Sequence, residues 1–324
     1  MSATATGLVS LFGHEPDTYR PHRIHSDARA YTETNCYTDI LIELLHARGD
    51  DPLAAMGFTV RMDFEGDQWT FFKPPPADLE RLFGVDIHEM QPYRALPFQI
   101  AEQISQGRTM IVELDSWYLP DTQSTSYRTE HVKTSVAVEA IDVSAEVLRY
   151  FHNASLYELS GEDYRGVFRL DGPENEEVLP PYTELVRFDA GPRLGGDELL
   201  DAARELLRYH LRRRPSSNPF ERFGEHLRRE LPELLRGDAA QYHAYAFATV
   251  RMVGSAFEIA ASHVDWLLGA EGHAAIDALM QVVEGSKTLS FKLARRKEFD
   301  PAPAISSLAE GWEQATAALE RVLA

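Results

Sequence analysis

The chain has 324 residues, 44% hydrophobic and 26% charged, which is the balance of a globular protein long enough for two domains. Its net charge of −19 argues against nucleic acid as a partner, because that binding depends on neutralising phosphates. A lone cysteine excludes an internal disulfide framework. Without a signal peptide or an apolar stretch of membrane length, the sequence predicts a cytoplasmic protein with no membrane association.

The first half mixes helical and strand patterns. Helices are predicted at "NCYTDILIELLHA", "ADLERLFG" and "LPFQIAEQISQG". Strands are predicted at "RTMIVELDSWYLP", "HVKTSVAVEAID" and "LRYFHNASLYEL", the last two as an antiparallel pair. "GFTVRMDFEGDQWTFFKPPP" is interpreted as two short strands around a Gly-Asp turn.

The second half changes character near residue 196, after a stretch rich in Pro, Gly and acidic residues. From there apolar residues recur at spacings of three and four, with no strand pattern of comparable strength. The sequence therefore predicts an α+β protein, with an α+β domain over residues 1–195 and an all-α helical bundle domain over 196–324.

Cys36 is the first candidate for chemistry. It follows Thr34 and Asn35, both natural N-cap residues, so it is expected in the first turn of a helix. The helix dipole and the backbone N–H groups there favour a thiolate, which is the reactive form of cysteine. The alternative is a small buried hydrophobic residue without chemistry.

Two further residues could complete a site with Cys36. His131 opens a strand after a polar loop and could take the proton of the thiol. Asn153, on the next strand, could accept the imidazole N–H and orient the ring; His152 and Asp142 are alternatives, and Asp142 is expected to lie too far along its strand. Taken alone, His131 is equally consistent with a surface histidine, and Asn153 with a turn amide.

The order Cys, His, Asn on a helix and two adjacent strands is the layout of papain-like enzymes. "TNCYTDILIELL" resembles the nucleophile helix of that superfamily, in its bacteriocin-processing-peptidase-like branch. "VELDSWYLPDT", "YRTEHVKTSVAVEAID" and "LRYFHNASLYEL" are similar to an uncharacterised bacterial papain-like family related to the butirosin-biosynthesis acyltransferase. The resemblance covers roughly residues 20–170.

The resemblance implies an acyltransferase with Cys36 as nucleophile, His131 as base and Asn153 as orienting residue. Members of that uncharacterised family resemble proteins associated with amino-acid:carrier-protein ligases. The implied donor is therefore an acyl or aminoacyl thioester on a carrier protein, and the acceptor is an amine or hydroxyl of a small molecule or a protein. Phosphopantetheine enters only as part of that substrate, and no other cofactor is expected.

The sequence departs from the papain-like pattern at the oxyanion hole. The glutamine expected about six residues before the nucleophile is replaced by Ala30. The nearest polar side chains are Thr32, Thr34 and Asn35, and Asn35 is predicted to contact the substrate. The backbone N–H of Cys36 can donate to an oxyanion, and the second donor stays unassigned.

Other residues are candidates for binding. Asp115 could hold the ammonium group of an aminoacyl substrate or cap a loop, and Tyr118, Tyr127 and Trp117 could line a cleft or anchor the loop by packing. Residues 204–236 carry nine arginines and five acids, and "KLARRKEF" is a second basic run. Such runs are commonly solvated helix faces; the functional interpretation is an acidic carrier protein docking on Arg212, Arg213 and Arg214.

No motif predicts a metal or nucleotide site: "HRIH" lacks further ligands, and the Gly clusters form neither a P-loop nor a dinucleotide fingerprint. Two functional alternatives remain beside the acyltransferase. One is a cysteine peptidase or amidase that uses the same three residues, and the other is a carrier-protein-binding protein without catalysis.

Overall fold

The computed structural model describes residues 7–33, 35–172 and 180–324. The chain folds into two compact units. The first comprises Met1–His25, Asn35–Pro52 and Leu79–Arg193, and the second comprises Ser26–Thr34, Leu53–Asp78 and Leu194–Ala324. The second unit therefore takes two segments from the first half of the chain.

The first unit is built on a mostly antiparallel sheet. Its strands are β1 (Val9–Ser10), β2 (Asp86–Met90), β3 (Thr109–Asp115), β4 (Lys133–Asp142), β5 (Val147–His152), β6 (Ser155–Ser160) and β7 (Thr183–Arg187). The strand order is β2-β7-β3-β4-β5-β6, and β1 pairs with β4. The predicted antiparallel pair is confirmed as β4 and β5. The second predicted run contains a two-residue turn and continues as β6.

Helices α1 (Cys36–Ala47), α3 (Leu96–Ser105) and α4 (Glu162–Val167) pack on this sheet, and α2 (Pro76–Phe83) precedes β2 along the chain. Alternate residues of β3 and β4, among them Val112 and Val136, form a buried cluster with Ile100 and Ile104 of α3. α1 packs on β4, β5 and β6, on the side of the sheet that carries Phe151. The preceding residue, Tyr150, belongs to the cluster with α3. Since successive strand residues point to opposite faces, α1 and α3 cover opposite faces of the sheet.

The second unit is helical. It comprises α5 (Gly196–Arg212), α6 (Pro219–Arg236), α7 (Ala239–Ala246), α8 (Met252–Leu268), α9 (His273–Ala294) and α10 (Ala302–Leu323). A π-helical segment, Phe247–Arg251, joins α7 to α8. The α+β class is thus confirmed as a mostly antiparallel sheet domain with a C-terminal helical region.

The two strands predicted over residues 57–76 were wrong, although the Gly-Asp turn between them is present. Pro52–Arg61 forms a 3-10 helix, and strand pairing there is a single antiparallel bridge between Phe64 and Trp69, on either side of that turn. The rings of Phe64 and Trp69 pack against Phe223 of α6, at 5.5 and 5.8 Å between centroids. Burial against a helix explains the apolar pattern that was interpreted as strands.

Within the described ranges, no helix is both long and apolar enough to cross a lipid bilayer.

Candidate active site

Cys36 is the first residue of α1, as predicted. Asn35 is the N-cap, with φ −141° and ψ 147°, and its side-chain oxygen accepts the backbone N–H of Thr38 at 2.9 Å. The cap therefore occupies an oxygen that was predicted to contact substrate. Cys36 forms no disulfide and is half-buried. Thr34, the other candidate cap, lies outside the described residues.

His131 is paired with a carboxylate. Its Nδ1 lies 2.7 Å from Oδ2 of Asp115, the last residue of β3. The other carboxylate oxygen of Asp115 accepts the backbone N–H of Trp117 at 3.0 Å. The indole of Trp117 stacks on the imidazole, with centroids 4.5 Å apart and planes 10° apart. Asp115 and Trp117 thus fix the ring while Nε2 makes no hydrogen bond within the described part of the chain.

Asn153 occupies a different place from the one predicted for an orienting residue. It lies in the tight turn between β5 and β6, with φ 46°, a left-handed conformation that asparagine tolerates. By the register of β5 on β4, it falls near Ser135, four residues further along the chain than His131. The ring nitrogen that Asn153 was predicted to hold is occupied by Asp115.

The two alternatives to Asn153 have other roles. Asp142 is the last residue of β4 and, as expected, far from His131 along that strand; its carboxylate accepts the N–H groups of Ser144 and Ala145. The hydroxyl of Ser144, which also donates to this carboxylate, and the two backbone N–H groups hold the pKa of Asp142 below its usual value. His152 is buried, with Nδ1 2.5 Å from Asp121.

The Asp121–His152 contact anchors the loop that precedes His131. Asp121 also accepts the hydroxyl of Tyr150 at 2.6 Å, and burial raises the pKa of that tyrosine. Nε2 of His152 lies 2.8 Å from the hydroxyl of Thr134 on β4. This buried network ties the loop to β4 and β5, so it helps to position Trp117 and His131.

A cleft of about 1240 Å³ opens beside the His131–Asp115 pair. Of the predicted site residues, it is lined by His131, Asp115 and Tyr118. Its remaining walls mix apolar, acidic and basic side chains, among them Tyr182, Glu113, Lys133, Arg165 and Arg169. The cleft is therefore polar and charged near the imidazole.

A chain of hydrogen bonds links the start of α1 to this cleft. The hydroxyl of Tyr37, the residue after Cys36, donates to Oε2 of Glu184 on β7. Oε1 of the same carboxylate accepts the hydroxyl of Tyr182 at 3.0 Å, and Tyr182 lines the cleft. Burial and the bond to Glu184 raise the pKa of Tyr182 to about 12. Both tyrosines therefore remain donors at neutral pH.

Contacts at both ends of α1 locate the helix on the sheet. At the C-terminal end of α1, the Ala47 carbonyl lies 2.9 Å from Nε2 of His14, whose backbone N–H donates to Glu139 of β4. Near its N-terminus, Tyr37 contacts Glu184, which pairs with Ile111 of β3, four residues before Asp115. Among the described residues, those that line the cleft do not include Cys36.

The predicted tyrosines anchor the loop and the cleft wall. The ring of Tyr118 packs on α4, where a Cβ at Gly166 would lie 2.2 Å from Cδ1 of that ring. The hydroxyl of Tyr127 donates to Asp163 of α4 at 3.1 Å. Arg128, with φ 56°, pairs with the same carboxylate at 2.6 Å. Tyr118 thus has both a packing role and a place in the cleft, whereas Tyr127 fastens the loop.

Ala30 does not offer a second oxyanion donor. Its backbone N–H donates to Oε1 of Glu258 on α8 at 2.8 Å, and Tyr31 N–H donates to Oε2 at the same distance. Among the residues that the structure describes, the N–H of Cys36 has no hydrogen-bond acceptor, as is usual in the first turn of a helix.

The predicted docking arginines lie at the end of α5. Arg212 and Arg213 are exposed, and the guanidinium of Arg213 lies 5.2 Å from the ring centroid of Tyr209. Arg214 is engaged in the fold, with an ion pair to Glu320 at 2.6 Å. The three residues are therefore not equivalent.

Several residues that shape the cleft were not identified from sequence. Glu184 and Tyr182 come from β7 and the chain just before it, and Arg165 comes from α4. Glu184 gave one signal, an acid inside the apolar strand pattern "TELVR". It is buried, and a buried carboxylate needs partners.

The fold and this geometry define an α+β protein with a lone cysteine at a helix start and a His–Asp pair in a cleft, followed by a helical region. The DUF1839 N-terminal domain model matches residues 20–188, and the DUF1839 C-terminal domain model matches residues 196–321. The chain belongs to the DUF1839 family and contains both of its domains. No curated protein matches it in sequence.

In the described part of the chain, no three His, Cys, Asp or Glu side chains are grouped as metal ligands.

Proposed function

We propose that the protein is a papain-like thiol acyltransferase, with Cys36 as nucleophile and His131 as base. The observation that carries the proposal is the His131–Asp115 pair, at 2.7 Å between Nδ1 and Oδ2 in the wall of a cleft. A carboxylate on Nδ1 fixes the tautomer whose Nε2 accepts a proton, and it stabilises the imidazolium that results. The sequence resemblance to the butirosin-related family supports the same chemistry.

The proposed reaction has two half-reactions. The sulfur of Cys36 attacks the thioester carbonyl of an acyl or aminoacyl carrier protein while His131 takes the thiol proton. The tetrahedral intermediate expels the carrier thiolate, which takes that proton from His131. An amine or hydroxyl then attacks the acyl-enzyme, gives its proton to His131, and the sulfur leaves and is reprotonated.

Asp115 replaces Asn153 as the orienting residue in this proposal. Asp115→Asn is expected to lower kcat/KM about 10²- to 10⁴-fold, because an amide can stabilise the wrong tautomer and cannot stabilise an imidazolium. The measurement is thiol release from a small acyl N-acetylcysteamine thioester, which mimics the end of phosphopantetheine.

Asn153→Gly is the matched control. Glycine accepts the left-handed φ of residue 153, so the turn is retained while the amide is removed. We expect kcat/KM within about twofold of wild type, since the fold holds the imidazole without this residue. A large loss with Asn153→Gly and none with Asp115→Asn would return the orienting role to Asn153.

The same assay separates the two alternative functions. A hydrolase releases thiol at the same rate with and without an amine acceptor, whereas a transferase needs the acceptor for repeated turnover. A carrier-binding protein without catalysis releases no thiol above the buffer rate.

A further inference from the structure

The C-terminal end of α9 and the three residues after it carry a concentrated positive charge. Residues 285–297 contain five cations and no acid, in a chain whose net charge is −19. The cations are Lys287, Lys292, Arg295, Arg296 and Lys297. Over residues 7–33, 35–172 and 180–324, none of the five forms an ion pair with an acidic side chain. Their charge is therefore not consumed by the fold.

An exposed aromatic side chain accompanies these cations. Phe291, between Lys287 and Lys292, is 64% exposed. Phe247, in the π-helical segment, is 52% exposed and lies under the guanidinium of Arg251, at 5.7 Å. The hydroxyl of Tyr242 on α7 donates to the carbonyl of Ser290 at 3.3 Å, which ties α7 to this part of α9. Exposed rings among unpaired cations are typical of an interaction surface.

The arginine-rich segment 204–236 is different, because the fold engages many of its cations. Arg222 pairs with Asp63, and Arg214 pairs with Glu320. Arg208 donates to the carbonyl of Leu323 at 2.7 Å, and Arg236 donates to that of Pro232 at 3.0 Å. Of the predicted docking residues, Arg214 is engaged in this way, which leaves Arg212 and Arg213 as a smaller group of cations than the five at the end of α9.

We propose that the α9 surface, formed by Lys287, Phe291, Lys292, Arg295, Arg296 and Lys297, binds an acidic protein, namely the carrier that donates the acyl group. The choice of the acyl-donating carrier as the partner rests on the proposed function. Charge complementarity selects the partner. A phosphate polymer or an anionic membrane would extend beyond five cations and meet the acidic remainder of the chain, whereas a small acidic protein needs only the patch.

The test measures the Kd of a purified holo acyl carrier protein, at low and high salt, for two charge-matched variants. Arg295→Glu with Arg296→Glu is expected to raise the Kd at least about tenfold at low salt, because like charges then face each other. Arg212→Glu with Arg213→Glu, the same charge change at the end of another helix, is expected to raise it no more than about twofold. The difference in Kd between the two variants is expected to shrink at high salt, because dissolved ions then screen charges beyond a few ångströms.

Two further variants sharpen the result. Phe291→Ala is expected to weaken binding at both salt concentrations, since its contribution is apolar. Salt-dependent binding that persists in Cys36→Ala supports the surface independently of the chemistry. Unchanged release of thiol from the small thioester by the Arg295, Arg296 variant shows that the surface serves the carrier and not catalysis.

The inference is overturned if the α9 variant binds as wild type does, or if both variants weaken binding equally. Tighter binding to duplex DNA or to phosphatidylglycerol vesicles than to the carrier, lost in the α9 variant, also overturns the assignment of an acidic protein as partner.

Discussion

Cys36→Ala is expected to reduce acyl transfer at least about 10⁴-fold, because the chain has no second thiol to act as nucleophile. The fold should survive the change. The N-cap bond runs from Thr38 to the Asn35 side chain and does not involve the sulfur, and Cys36 is only half-buried. The measurement is thiol release from the small thioester, with intact-protein mass to detect an acyl adduct in wild type alone.

The proposed pairing of Cys36 with His131 has its own readout. With one cysteine, iodoacetamide gives one signal by mass, and a base near the sulfur speeds labelling. His131→Ala should slow labelling at a fixed pH. His88→Ala is a matched control, since His88 is another exposed histidine of the same unit with Nδ1 near a carboxylate, 3.2 Å from Asp86.

Either of two results would contradict the mechanism. Full transfer by Cys36→Ala would exclude the sulfur as nucleophile. Equal labelling rates in wild type, His131→Ala and His88→Ala would show that His131 does not act on the thiol in the unliganded protein, and would favour the carrier-binding alternative.

The local features of the site could be predicted from sequence. The cap at Asn35, the start of α1 at Cys36 and the strand after His131 depend on residues within a few positions of each other. Capping and strand alternation are local effects that a single sequence carries.

The partner of His131 could not be predicted because it depends on strand register. Asp115 pairs with Lys133 across β3 and β4, and this places the carboxylate beside residue 131. Asn153 was chosen because β5 follows β4, but β5 ends in a turn that leaves Asn153 at the level of Ser135, four residues short of the histidine. Similarly, β7 pairs with β2 and β3, which are distant in sequence. The position of Glu184 next to the cleft therefore could not be predicted from its neighbours in the chain.

α1 also carries a buried charged cluster that its apolar pattern did not reveal. His25 is buried between two acids of α1, with Nδ1 at Glu43 and Nε2 3.2 Å from Asp39. Glu43 also accepts the Tyr19 hydroxyl at 2.5 Å and the backbone N–H of His22 at 3.0 Å. Burial by itself lowers the pKa of His25, but the hydrogen bonds and charges of Asp39 and Glu43 outweigh it and raise that pKa to about 9.

His25→Gln is expected to lower the free energy of unfolding by about 3–5 kcal/mol, because it leaves two buried carboxylates without their cation. Chemical denaturation at pH 7 measures the loss. Adding Glu43→Gln to His25→Gln is the matched control and should restore part of it, since a neutral buried amide costs less than an unpaired carboxylate.

The stability of the wild-type protein should also depend on pH in a defined direction. The folded-state pKa of His25, about 9, exceeds its ordinary value of 6.5, so between these values the folded state binds more protons than the unfolded state. The contribution is complete below pH 6.5 and is lost as pH rises through 9, to a total of roughly 3 kcal/mol. His25→Gln should lack this component of the pH dependence. A variant that loses stability between pH 6.5 and 9 as steeply as wild type would show that the imidazole between Asp39 and Glu43 is neutral, and that α1 tolerates their charges by other means.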